Sequence, residues 1–147
     1  MLELKGAEDT YYLPPPDQVL PSKSMRYHLF KFDDKVGTEN EVPLINGRSF
    51  LVVGRDPDLA DIVIDIDTED GGLVSKRHAV FQFRKPSSVE DSSIKLYLLD
   101  LGSTNGTFLN GNNVELPKRR YIEMKGHDRL KFGDPESDTE FVIVEEE

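Results

Sequence analysis

The sequence predicts an all-β sandwich with polar loops gathered at one end, and three observations carry that expectation. Short β-patterned runs follow one another closely, and none sustains the 3.6-residue period of a helix. Asn46-Gly47, Asn105-Gly106 and Asn110-Gly111 supply turn signals between them. Three polar, turn-forming segments also lie at the ends of such runs: Gly54-Arg55, Ser75-Lys76-Arg77-His78, and Asp100 to Gly111.

The elements follow in order. Residues 1–24 read as an N-terminal tail, disordered or lying as an extended arm over the domain. Pro14-Pro15-Pro16 favours polyproline II and Pro21 to Ser24 has linker composition. A sharper reading makes this tail a docking segment anchored by Tyr11, Tyr12 and Leu13. Residues 25–147 form the domain. Arg26 to Phe32 is β-prone, with Tyr27, Leu29 and Lys31 on one face and His28, Phe30 and Phe32 on the other. Further strands are expected over 49–53, 61–65, 79–84, 94–100, 107–109, 121–124, 129–132 and 140–144. The stretches Asp65–Val74 and Lys85–Ser93 read as surface loops.

A chain of 147 residues fits one core, and its formal charge of −10 argues against general binding to a nucleic-acid backbone. Arg55, Lys76 and Arg77 can still form a local basic site. The absence of cysteine excludes disulfides and thiolate metal sites. No apolar run approaches the roughly 20 residues that span a bilayer, and Met1 to Lys5 carry no signal-peptide pattern, so an intracellular compartment is expected.

Other motifs fail on inspection. Asn105-Gly106-Thr107 matches a glycosylation sequon in a chain without a secretory signal. Gly106 to Gly111 has P-loop glycine spacing, but Asn112-Asn113 follows where Lys and Ser or Thr are required. Asp65, Asp67 and Glu69 mimic the start of an EF-hand, but Asp70 stands where glycine is needed and Lys76 where glutamate is needed. His28, His78 and His127 lack metal-ligand spacing, and no Gly-x-Ser-x-Gly elbow occurs. Neither an enzyme nor a cofactor nor a metal is expected.

Taken singly, Arg55 is a salt-bridge partner for Asp56 or Asp58, Ser75 a turn residue, His78 a half-buried histidine, and Asn105-Gly106 a hairpin turn. Taken in order, they resemble the signature of the forkhead-associated (FHA) domain, a reader of phosphothreonine peptides. The resemblance covers roughly residues 26 to 145. It implies that Arg55, Ser75 and Thr104 contact phosphate, with Lys76 or Arg77 adding charge, while Asn105 holds the peptide main chain. Gly54, His78 and Gly106 are implied as structural support. The chemistry agrees: a phosphothreonine carries about −1.5 to −2 charges and three acceptor oxygens, which suits a planar guanidinium fork.

Ser75 to Phe83 and Arg120 to Gly133 further resemble the FHA subunits of the pre-mRNA retention and splicing (RES) complex. That branch implies a nuclear adaptor, also expected in cytoplasm, that serves splicing and retention of unspliced transcripts. Its implied partners are a phosphothreonine protein and splicing subunits, including an RNA-recognition-motif protein. Neither direct nucleic-acid binding nor a membrane is implied, and the domain is expected to be monomeric. Two departures stand out. The loop from Asp67 to Gly72 is longer and more acidic than the branch pattern, and the region before Met25 is short for its docking segment. The alternatives are a phosphate-independent scaffold with this fold, or an adaptor in another nuclear signalling pathway.

Overall fold

Strand β5 (Ala79–Arg84) shows how the alternating sequence builds two faces. Phe81 and Phe83 join the main core with no exposure, whereas Val80 joins a second, smaller apolar cluster on the opposite side. The computed structural model describes residues 12–22, 25–64, 71–86 and 93–146. Its other strands are β1 (Tyr27–Asp33), β2 (Thr38–Val42), β3 (Phe50–Gly54), β4 (Ile62–Val63) and β6 (Lys95–Asp100). The chain continues through β7 (Thr107–Leu109), β8 (Ile122–Glu123), β9 (Arg129–Phe132) and β10 (Thr139–Glu145). No α-helix occurs among the described residues.

Two five-stranded sheets pack face to face, in the orders β2-β1-β10-β9-β7 and β4-β3-β5-β6-β8. Among the described residues the pairings are antiparallel, except that β3 and β4 run parallel. Leu51, Phe81 and Leu98 stand abreast in one sheet, and Leu29 pairs with Ile143 in the other. These side chains fill the space between the sheets and are at most 2 % exposed. Burying each contributes about 1.5–3 kcal/mol.

The sandwich predicted from sequence is present, with differences in detail. The expected strands at 61–65 and 121–124 shorten to two residues each, and Gly54 is the last residue of β3. Strand β2 was not predicted. Gly37, at φ 75°, turns the chain back so that Glu39 and Glu41 pair opposite Phe32 and Phe30. Of the two expected loops, 65–70 and 87–92 lie outside the described residues, as do Asp65, Asp67 and Glu69 of the EF-hand-like run. Gly71–Leu73 forms a short 3-10 turn.

Residues 12–22 lie against the β4-β3-β5-β6-β8 sheet, with a turn at Pro16-Asp17, and Val19 packs against the main core. Tyr12 is buried with Val52, Val80, Leu99 and Leu101, edge-on to Phe50 at 5.1 Å. Its hydroxyl donates to Gln82 Oε1 and lies 2.6 Å from the Tyr121 hydroxyl. Asp17 pairs with Arg84 at 2.7 Å, and the Val19 N–H donates to Phe83 O at 3.2 Å. Leu13 is 70 % exposed and takes no part, and Tyr11 lies outside the described residues.

Candidate functional site

Three loops meet at one end of the sandwich because their strands end there. The first leaves β3 at Gly54-Arg55, the second is Gly71 to His78 leading into β5, and the third is Leu101 to Gly106 between β6 and β7. Backbone bonds tie the first to the second: the Arg55 N–H donates to Ser75 O at 3.1 Å and the His78 N–H to Val53 O at 2.7 Å. Gly54 makes this approach possible. A Cβ there would lie 2.0 Å from the carbonyl oxygen of Lys76. The glycine serves close contact between two backbones.

His78 ties the second loop to the third. It is fully buried; its Nδ1 accepts the Ser75 N–H at 3.1 Å and its Nε2 lies 2.9 Å from Gly106 O. Accepting at Nδ1 leaves Nε2 to carry the proton, so the ring is neutral and donates to the carbonyl. Burial pushes its pKa below the ordinary imidazole value, outweighing the opposing pull of Asp100 at 3.9 Å. Two more bonds join the same loops: Thr104 N–H to Ser75 Oγ at 3.3 Å, and Asn105 Nδ2–H to Leu73 O at 3.0 Å.

The third loop is shaped by Asp100, which is 2 % exposed. Its Oδ1 accepts the N–H groups of Gly102 and Ser103 at 2.8 and 2.7 Å. Its Oδ2 accepts the hydroxyls of Ser103 and Thr107 at 2.8 and 2.7 Å. Burial pushes the carboxyl pKa up, but the bonds from Thr107 and from the Ser103 N–H and hydroxyl outweigh it and hold the carboxylate below the usual range. The Ser103 hydroxyl also accepts the Gly106 N–H at 3.0 Å. Gly106 takes φ 89°, a conformation that favours glycine.

The result is an open depression of about 320 Å³ lined by Arg55, Ser75, Lys76, Thr104 and Asn105, with Gly72, Leu73 and Val74 as its apolar margin. Arg55, Ser75 and Asn105 are half-buried, and Lys76 and Thr104 are exposed. Arg77, predicted beside Lys76 as a charge donor, is half-buried and does not line the depression. Another depression, near β1 and β2, is lined by Met25, Tyr27, His28 and Glu41 and brings together no comparable set of donors. Among the described residues, no group of His, Asp or Glu is placed to hold a metal ion.

This arrangement coincides with a known family. A family model described as the FHA domain matches residues 51–133, which include all three loops. The chain belongs to the FHA domain family.

It is 38 % identical to Smad nuclear-interacting protein 1 of Mus musculus, across 98 % of this chain and 38 % of that protein. It is also 38 % identical to Pre-mRNA leakage protein 1 of Saccharomyces cerevisiae, across 68 % of this chain and 50 % of that protein. The chain thus spans between 38 % and 50 % of the length of these curated relatives. Among solved structures, the yeast Pml1 splicing factor, described with its integration into the RES complex, superposes with a TM-score of 0.69. The identity is 29 %, over 91 % of this chain and 96 % of that one. The FHA domain is a binding module, not a catalytic one.

In this FHA domain the depression offers a guanidinium, an ammonium and two hydroxyls to one ligand. Ser75 Oγ already accepts the Thr104 N–H, which leaves its hydroxyl hydrogen to donate outward. Asn105 uses one amide hydrogen on Leu73 and keeps a second donor and its carbonyl oxygen, enough to pair with an extended backbone. Sequence reasoning missed Asp100, Ser103 and Thr107, which shape the loop from below. The signal was present: an Asp two residues before a glycine favours a turn closed by its own side chain.

Proposed function

We propose that this FHA domain is a phosphothreonine-peptide-binding adaptor acting in the nucleus within the spliceosome-associated RES complex. The observation that carries the reading is the convergence of Arg55, Ser75, Lys76, Thr104 and Asn105 from three loops on one open depression. Arg55 and Lys76 supply positive charge to a dianionic phosphate, Ser75 and Thr104 supply hydroxyl donors, and Asn105 pairs with the peptide main chain. Charge-assisted bonds of this kind contribute about 1.5–3 kcal/mol each. His78, Gly54 and Gly106 act on the ligand only through the loops they position.

The splicing role draws its support from the likeness to the yeast Pml1 splicing factor and to Pre-mRNA leakage protein 1. The partners it implies are a phosphothreonine-bearing protein and splicing subunits, including one with an RNA-recognition motif; the role itself is support of splicing and retention of unspliced transcripts. Capture from nuclear extract on the immobilised chain tests the reading. Spliceosomal proteins should be retained, and their retention should fall on phosphatase treatment of the extract. Undiminished retention after phosphatase would favour a phosphate-independent scaffold.

A further inference from the structure

The connection between β7 and β8 runs alongside the third loop and carries Lys118-Arg119-Arg120, the longest basic run in a chain of net charge −10. The segment is fastened to the recognition end. Lys118 forms a β-bridge with Asp100, and the Arg119 N–H donates to Asp100 O at 2.8 Å. The Arg119 guanidinium covers Gly102: a Cβ on that glycine would lie 3.3 Å from Nη2. On the other flank, Glu115 lies over Gly106, and its carboxylate pairs with Lys118 at 3.2 Å. Gly102 and Gly106 bracket Thr104 and Asn105 in the chain, so the loop that carries them has the Arg119 guanidinium against one end and the Glu115–Lys118 pair against the other.

Arg119 holds its place at a conformational cost. Its φ is 60°, in the left-handed region that disfavours a residue carrying a Cβ. Strain of this kind collects where position matters more than stability.

We propose that Arg119 extends the phosphothreonine site, and that it selects ligands carrying a second negative charge beside the phosphothreonine, on one side of it only. The inference rests on the phosphothreonine reading above. The second charge is a carboxylate or another phosphate, which the guanidinium accepts in the same way. The contact is exposed, so its effect is modest and falls with salt.

Calorimetric titration of four peptides around one phosphothreonine tests this. One has neutral flanks, one has aspartates before the phosphothreonine, one has them after, and the fourth carries phosphoserine on whichever side proves favourable. In the wild type, acid on one side should tighten binding about three- to five-fold, the scale of an exposed ion pair, and phosphoserine at least as much. Arg119→Gln and Arg119→Gly should each bring the acidic peptides down to the affinity of the neutral one. Arg26→Gln, which removes the same charge at the far end of β1 and β10, should leave the preference in place. A preference that survives both Arg119 variants, or no preference in a wild type that binds the neutral phosphopeptide, would overturn the proposal. So would an oligouridine that competes with the peptide and loses its hold on Arg119→Gln, since the basic run would then be an RNA contact. Failure to bind every phosphopeptide would instead overturn the phosphothreonine reading, and this inference with it.

Discussion

His78 Nε2 lies 2.9 Å from the carbonyl oxygen of Gly106, 28 residues away, and through this bond the Ser75 loop holds the loop of Thr104 and Asn105. His78→Ala removes the bond and leaves both Gly106 O and the Ser75 N–H without their partner. The expected loss of stability is about 1–3 kcal/mol. Thermal denaturation should show it, while the affinity of the folded fraction changes less. A variant that melts like wild type yet fails to bind would make His78 a ligand contact.

The same residue gives stability a pH dependence. Its folded-state pKa is lowered, so the unfolded chain takes up a proton more readily. The contribution of His78 is present above about pH 6.5 and is lost as pH falls through its lower folded value. His28 has the opposite sign: Glu41 and Glu146 raise its pKa, so its exposed contribution is present at lower pH and fades as pH rises. The contribution of Asp100, whose pKa is lowered, is present throughout this window and is lost only below the ordinary carboxylate range. In a His28→Gln background, denaturant unfolding should therefore show stability falling from neutral pH toward pH 5, and His78→Gln should remove most of that slope.

Much of this site was legible because polar residues that terminate strands are conspicuous against apolar runs. Gly54-Arg55, Ser75 to His78 and Asp100 to Gly111 could each be placed at a strand end from composition alone. What escaped depended on partners distant in sequence. Strand β2, Thr38–Val42, ends in its single apolar residue and exists by pairing with β1. Its glutamates suit an edge strand, where charge blocks further pairing. Gln82 reads as a solvent-facing residue within an alternating strand. It is nevertheless fully buried, because Tyr12, 70 residues earlier, covers it. Arg77 could not be separated from Lys76 without knowing how the chain enters β5.

Tyr12→Phe isolates the arm. The ring and its contact with Phe50 remain, but Gln82 Oε1 and the Tyr121 hydroxyl lose their partner. A loss of about 1–3 kcal/mol is expected in chemical denaturation. Phosphopeptide affinity should move little, because the lost hydroxyl bonds join Gln82 and Tyr121, neither of which lines the depression. A coupled loss of binding would mean that the arm controls the site.

Asn105→Ala should weaken a phosphopeptide far more than free phosphothreonine, since Asn105 is assigned to the peptide main chain. The variant also loses its bond to Leu73 O, for a stability cost of about 0.5–1.5 kcal/mol. Competition titrations with both ligands separate the roles. Equal losses would place Asn105 among the phosphate contacts.

Phosphothreonine should bind better than phosphoserine in a peptide of otherwise identical sequence. Both present the same phosphate, so the difference rests on one methyl group, for which Leu73 at the margin of the depression offers apolar surface. Burying one methyl contributes about 0.8 kcal/mol, and the β-branch stiffens the side chain before binding. At least a several-fold preference should appear in paired calorimetric titrations. Equal affinities would leave a general phosphate clamp.

The most direct test titrates one phosphothreonine peptide and its unphosphorylated twin into the wild type and into Arg55→Ala. The guanidinium is half-buried at the depression, and its backbone N–H bond to Ser75 O survives the substitution. Loss of two charge-assisted bonds at about 1.5–3 kcal/mol each predicts an affinity at least a hundred-fold weaker. The melting temperature should barely change. The wild type should bind the phosphorylated peptide and ignore its twin, and Arg55→Ala should bind neither. Equal binding of the two peptides by the wild type, or an unchanged dissociation constant in Arg55→Ala, would contradict the account.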